Sequence, residues 1–458
     1  LPYPPITRRK DRPMPLDDLR ARAAAMMPEV TADLAALTAI PSIAFPGFPP
    51  EPVLEAGEMV VDLFRNAGVE NVQLLPVEGG YSAVYAEVPG PAGAPTVLLY
   101  AHNDVQPAPM SQGWTMEPFN PIVRGGRLYG RGAADDKSGV MMHVAVMRLF
   151  GAKPPVNVKI LIEGEEETGS NLGPFCEANP HLIDCDAFII ADGGNSRAGH
   201  PELNVALRGV ATAKVTVRTL NNMVHSGAYG GAAPDALMAL AVILSKLLDE
   251  NGDVAIPGLT RYEWEGQDVP EATYRGSAGL LEGVGLIGTG SLATRLWTRP
   301  SVTAIGIDAP QVKGASNSLI PEATAKISLR LAPGSDPDSS RQALVDHLVA
   351  SAPWGVQVEV KPGEVGNAFK APAGGAIDGA ARAAMQEVFG KPVVSTASGG
   401  SIPLLGTLQA LVPSAEFVVW GAQEGEHSGA HGPDESQDVA ELERMIVSEA
   451  RFLEILGG

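Results

Sequence analysis

Thr96-Val-Leu-Leu-Tyr-Ala-His-Asn-Asp104 begins as a short apolar run and closes on an imidazole and a carboxylate. An apolar run of this length, without alternation, reads as a strand buried on both faces. The pattern recurs in Ala187-Phe-Ile-Ile-Ala191, which runs into Asp192, and in Val156–Glu163, which runs into Glu163-Gly-Glu-Glu-Glu-Thr-Gly169. Leu16–Leu37, Pro52–Ala67 and Lys137–Phe150 have helical spacing, and Val72–Leu75 and Ser82–Val88 read as further short strands. Helices alternating with continuous apolar strands predict an α/β fold with a mostly parallel sheet.

The character changes near Arg208. Ala211–Thr219, Ala323–Ala332 and Val356–Lys361 alternate apolar and polar residues, while Asp235–Asp249 and Ser339–Ala350 are helical. Alternation of period two means one solvated sheet face, so an α+β layer is expected here. From Ala376–Phe389 the first style returns. The expected organisation is one domain in two parts, 1–208 and 369–458, with a second domain inserted at 209–368.

A formal net charge of −20 over 458 residues repels phosphate backbones and anionic lipid, so neither nucleic acid nor a membrane surface is an expected partner. No apolar run is long enough to span a bilayer. Leu1–Pro15, rich in Pro and Arg, lacks the apolar core of a secretory signal. Cys176 and Cys185 alone are too few for a disulfide framework, which makes the reducing cytoplasm the default location.

The polar clusters at the strand ends carry the chemistry. His102 and Asp104 lie two apart on an extended segment and share a face. A carboxylate beside an imidazole sets its tautomer and basicity, as a metal ligand requires; a structural hydrogen-bonded pair has the same signature. Gly130-Arg-Gly-Ala-Ala-Asp-Asp-Lys137 puts two adjacent acids in a Gly-rich turn, which calls for a neutralising charge, either a bound cation or Lys137. Asp136 stands where a phosphate-binding loop needs Gly, so that reading is excluded. In Glu163–Gly169 one carboxylate can ligate a metal while its neighbour takes a proton from water; a solvated acidic turn is the alternative. His427-Ser-Gly-Ala-His-Gly-Pro-Asp-Glu435 spaces two imidazoles four apart but lacks the Glu of a His-Glu-x-x-His helix. Gly399-Gly-Ser-Ile-Pro403 fails the last position of a serine-hydrolase elbow. Together these segments offer imidazole and carboxylate donors that suit zinc, with manganese or cobalt as alternatives.

In order along the chain, His102-x-Asp104, Gly130–Lys137, Glu166-Glu167-x-Gly169, Asp192, Leu207-Arg-Gly209, His225-Ser-Gly227, Gly399–Pro403 and His431 resemble the motifs of the M20 metallopeptidases, the carnosinase-like dipeptidases among them. The resemblance runs from Leu16 to Leu456 and implies two divalent metal ions per chain, a catalytic role for the two-part domain 1–208 and 369–458, and a lid or dimerisation role for the inserted domain 209–368. His102 and Asp192 would hold one, Glu167 and His431 the other, and Asp135 would bridge them. Asp104 would orient His102, and Glu166 would be the general base for a water between the metals. His225 would reach a neighbouring subunit's active site and stabilise the oxyanion, which implies a homodimer. Arg330 would take a substrate carboxylate, with a further hydrogen bond from Ser401. The sequence departs from the family's dipeptidases at Asn103, Ser138, Ala397-Ser398 and Pro433-Asp434, none of them a ligand position. The expected activity is hydrolysis of the amide bond of dipeptides or similar small molecules with a free carboxylate. The alternatives are an N-acyl amino acid hydrolase or carbamoylase on the same scaffold, or a metal-binding protein without catalysis.

Overall fold

The computed structural model describes residues 13–372, 374–399 and 402–458. The described residues divide into two compact units, the larger drawn from 13–205, 371–396 and 407–458 and the smaller from 206–370 and 397–406.

In the larger unit, strands run in the order Gln73–Leu75, Ala83–Val88, Asn157–Glu163, Thr96–His102, Ala187–Ile190, Glu416–Val419, with Glu202–Leu207 beyond. The four strands from Asn157–Glu163 to Glu416–Val419 are parallel, and the flanking pairs are antiparallel. After Thr96–His102 the chain adds Asn157–Glu163 on one side and then Ala187–Ile190 on the other. That reversal opens a crevice at the carboxyl ends of the strands, the usual ligand position in open α/β sheets. The register levels the ends, with His102 opposite Glu163 and Tyr100 opposite Ile190.

Lys137–Phe150 packs on the Thr96–His102 strand between the helices Leu16–Thr38 and Val439–Gly457. Every residue of it except Arg148 is buried, as a helix apolar on all sides should be. Val439–Gly457 starts at Asp438, whose carboxylate caps the Glu441 N–H at 2.8 Å.

The smaller unit is built on a four-stranded antiparallel sheet, ordered Ser301–Asp308, Glu322–Leu331, Gly209–Arg218, Gln357–Gly366. The helices Ala236–Ser245 and Pro337–Ala350 cover it around a core of Val215, Val217, Leu240, Ile243, Ile327 and Leu344. Alternation thus translates into one covered face, as expected.

Cys176 and Cys185 are free and buried. Burial pushes both thiols up to about 12, so neither resembles an activated nucleophile. Among the described residues, no helix is long and apolar enough to cross a membrane.

Candidate metal centre

His102 is the last residue of its strand, and Asp104 follows within the same loop. The His102 Nδ1 lies 3.1 Å from the Asp104 carbonyl oxygen and 3.3 Å from its Oδ1. Asp104 also binds the next strand's loop: its carboxylate accepts the Glu166 N–H at 3.0 Å and the Glu167 N–H at 3.1 Å. One buried carboxylate therefore orients His102 and sets the backbone that carries Glu166 and Glu167.

Asp135 stands in the turn before Lys137–Phe150, and the Asp135–Asp136 peptide is cis. Its Oδ1 lies 3.3 Å from His102 Nε2 and its Oδ2 lies 3.0 Å from His431 Nε2. His431 Nε2 is also 3.2 Å from Glu167 Oε2, which accepts from Gln106 Nε2 at 2.7 Å. Two groups of donor atoms result, each within 4.8 Å of one another: His102, Asp135 and Asp192, and Asp135, Glu167 and His431. Asp135 belongs to both.

The electrostatics fit cations. Burial, reinforced by Asp135, pushes the Asp192 carboxyl up to about 7. Burial, opposed by His102 and reinforced by Asp192, Glu163 and Glu167, holds Glu166 well above the usual carboxylate range. Carboxylates so crowded favour protonation unless positive charge enters among them. The His102 Nε2 is buried without a hydrogen-bond partner among the described residues, although it faces Asp135. An imidazole nitrogen left open toward carboxylate oxygens is the donor set of a metal site.

Lys137 does not supply the neutralising charge. Its buried Nζ donates to the Leu37 and Ile40 carbonyls at 2.9 and 2.8 Å and pins the end of the first helix. Burial pulls its pKa down to about 7, opposed by Glu435 and Asp104.

Glu435, in the quoted C-terminal run but given no role from sequence, holds the Asp135 turn. Its side-chain oxygens accept the backbone N–H groups of Gly132, Ala134 and Asp135 at 3.1, 3.0 and 3.0 Å and pair with Arg131. Both side chains are buried. Two charges far apart in sequence give no periodic signal; only the placement of an Arg and a Glu inside two Gly-rich runs hinted at it. Glu435→Gln leaves the Arg131 charge buried without its counterion, and breaking such a pair costs about 3–5 kcal/mol. Chemical denaturation should register that loss, and an unchanged midpoint would show that the pair is replaceable.

Of the remaining candidates, His225 is exposed in the smaller unit, where its Nδ1 accepts the Gly227 N–H at 3.1 Å. Arg330 lies in the Glu322–Leu331 strand, paired with Val210 and Ser301. Arg208, from the Leu207-Arg-Gly209 motif, is a structural clamp that donates to the Leu296 and Arg299 carbonyls, each at 2.9 Å. Burial, with Arg330 nearby, lowers its pKa to about 10. Ser401 lies outside the described residues.

Overlapping His–carboxylate groups at the carboxyl edge of a parallel sheet are the donor arrangement that a metal-dependent hydrolase needs. Residues 98–455 match the model of the peptidase family M20/M25/M40, and the chain belongs to that family. It is 40% identical over 370 residues to the cysteinylglycine-S-conjugate dipeptidase of Corynebacterium striatum, covering 79% of this chain and 81% of that one. The M20 metallo-carboxypeptidase Sso-CP2 of Sulfolobus solfataricus superposes with a TM-score of 0.80 at 25% identity, over 94% of this chain and 99% of the other. Human carnosine dipeptidase 1 shares the fold, with a TM-score of 0.81 at 23% identity over 97% and 100% of the two chains.

Proposed function

We propose that this protein is a two-metal dipeptidase, with zinc as the metal its mixed imidazole and carboxylate donors suit best. The observation that carries this reading is Asp135, shared between the two donor groups with Glu166 beside them. The similarity to a cysteinylglycine-S-conjugate dipeptidase supports a small dipeptide as substrate. His102 and Asp192 would hold one ion and Glu167 and His431 the other, with Asp135 belonging to both donor groups. Bound there, the ions would supply Lewis acidity to polarise the scissile carbonyl and make water more acidic.

The chain's own groups do the rest. Glu166 takes a proton from the attacking water on its carboxylate and delivers it to the leaving amide nitrogen. Its backbone N–H and that of the candidate ligand Glu167 are both held by the Asp104 carboxylate, which fixes the segment that carries it. Asp104 keeps His102 in one tautomer. Arg330 and Ser401 take the substrate's terminal carboxylate, for which a guanidinium fork is well shaped.

His225 donates to the developing oxyanion in a neighbouring subunit's site, so the active unit is a homodimer. Its exposure, and an edge strand Ser301–Asp308 with Ile305 and Ile307 53% and 52% exposed, support a docking face on the smaller unit. Loss of one oxyanion donor costs about 10²–10³ in kcat, so His225→Ala should lower kcat by that order with metal content unchanged. An unaffected kcat would remove the role.

The reading is tested by elemental analysis together with a hydrolysis panel of dipeptides and N-acyl amino acids. Close to two metal ions per chain and turnover of dipeptides are expected. Turnover of the acyl substrates alone would make the protein an N-acyl amino acid hydrolase instead.

A further inference from the structure

The helix Lys137–Phe150 carries an imidazole in its buried middle, His143, and the helix Val439–Gly457 meets it with a buried carboxylate, Glu449. The His143 Nδ1 lies 2.8 Å from a Glu449 oxygen, and the Nε2–H donates to the Tyr100 carbonyl at 3.1 Å. A carbonyl only accepts, so Nε2 carries a proton, and one further proton lies between Nδ1 and the carboxyl group. Glu449 thereby fixes both the orientation of the ring and the nitrogen that donates.

Stability does not account for this pair. Its surroundings are apolar, with Val140, Met147, Met445, Ile446 and Phe452 in the same core. Replacing a buried ionisable pair by packed hydrophobic residues of similar volume is often neutral or stabilising. The second Glu449 oxygen adds to the cost, because it is buried without a hydrogen-bond partner among the described residues.

What the pair reaches is one carbonyl oxygen. The Tyr100 carbonyl also accepts the Ala191 N–H at 2.9 Å. His102 follows Tyr100 by two residues in its strand, Asp192 follows Ala191 directly, and Asp135 stands two residues before the helix that carries His143. The three segments that meet at this oxygen are therefore those that carry His102, Asp192 and Asp135, the members of one donor group. The other group is held by different means. Asp104 accepts the Glu167 N–H, Gln106 donates to the Glu167 carboxylate, and Glu435 grips the Asp135 turn.

We propose that His143, oriented by Glu449, is a positioning residue for the metal site of His102, Asp135 and Asp192. Through the Tyr100 carbonyl it locks two strand ends and one helix start in register, and donors of a metal site must be held to within about 0.5 Å. The proposal rests on the two-metal reading and goes beyond it, since neither residue is a ligand.

The test is competition of the zinc-loaded protein with a chromophoric chelator, alongside chemical denaturation of the metal-free protein. The double variant His143→Leu/Glu449→Leu replaces the pair by apolar volume, so its denaturation midpoint should equal the parent's or exceed it. One of its two zinc sites should weaken by about 10–100-fold, the range for loss of a group that orients a ligand, with the other unchanged. Glu449→Leu alone, which keeps the imidazole but frees its orientation, should weaken the same site. Glu449→Gln should retain the parental affinity, because its amide N–H donates to Nδ1 and leaves the proton on Nε2. Parental affinity at both sites in the leucine variants, equal weakening at both, a Glu449→Gln protein as weak as Glu449→Leu, or unfolding of the double variant would overturn the inference. A parent that holds two zinc ions leaves the two-metal reading standing in each of those cases; a parent that binds none would overturn both.

Discussion

Glu166→Gln is expected to lower kcat by about 10²–10⁴, the range a positioned acid–base group contributes, with metal content unchanged. The substitution preserves shape, and the Glu166 N–H that binds Asp104 belongs to the backbone, so the arrangement of His102 and Glu167 is untouched. In the metal-free protein, the Glu166 carboxyl holds its proton more tightly than in the unfolded chain. A raised folded-state pKa makes stability fall as pH rises through the carboxylate range, and an amide removes that penalty. The metal-free variant should therefore melt at the same temperature as the parent or higher at neutral pH. Lost turnover in a fully metallated, equally stable protein would leave proton transfer as the missing function. A kcat within tenfold of the parent would refute the assignment.

The second large effect is expected at Asp135. Its two oxygens face different imidazoles, His102 on one side and His431 on the other. Asp135→Asn removes negative charge from both donor groups at once, whereas Asp192→Asn weakens only the group that contains His102. Loss of a merely supporting partner typically costs about 10–100-fold in metal affinity, and loss of a bridging ligand should exceed that at both positions. Competition with a chromophoric chelator should show two weakened sites in Asp135→Asn and one in Asp192→Asn. Two sites of parental affinity in Asp135→Asn would mean that the carboxylate is not shared.

What could be read in advance followed from where the physics leaves a pattern. The strands Thr96–His102 and Ala187–Ile190, and Ile160–Ile162 within Asn157–Glu163, are buried apolar runs that lead into polar residues, so both the sheet and its functional edge were legible. Lys137–Phe150 was visible because its apolar residues wrap the whole helix. The strand Ser301–Asp308 was not foreseen. It is an edge strand with six exposed residues and a register shift between Ala304 and Gly306, so neither burial nor alternation marks it. Glu416–Val419 is only four residues long, and its place beside Ala187–Ile190 is a long-range pairing. Of the ligand groupings, His102, Asp135, Asp192, Glu167 and His431 came from motif order, and the structure brings their donor atoms together. Lys137 was weighed as the counter-charge to Asp135 and Asp136 because it is adjacent in sequence, but helix geometry sends it to carbonyls on the other side. Glu435 was missed because its work is done on backbone N–H groups, which every residue type possesses.

The grip of Glu435 on the Asp135 turn also bears on how the molecule is made. Synthesis delivers His102, Asp135, Glu167 and Asp192 well before Glu435, whose carboxylate holds residues 132–135 in place, and before the imidazole of His431. Until the segment 431–435 emerges, the acids at the strand ends have neither their brace nor their full set of neighbours. A chain that stops short of residue 431 therefore lacks both the carboxylate that holds the Asp135 turn and the imidazole that faces Asp135 and Glu167.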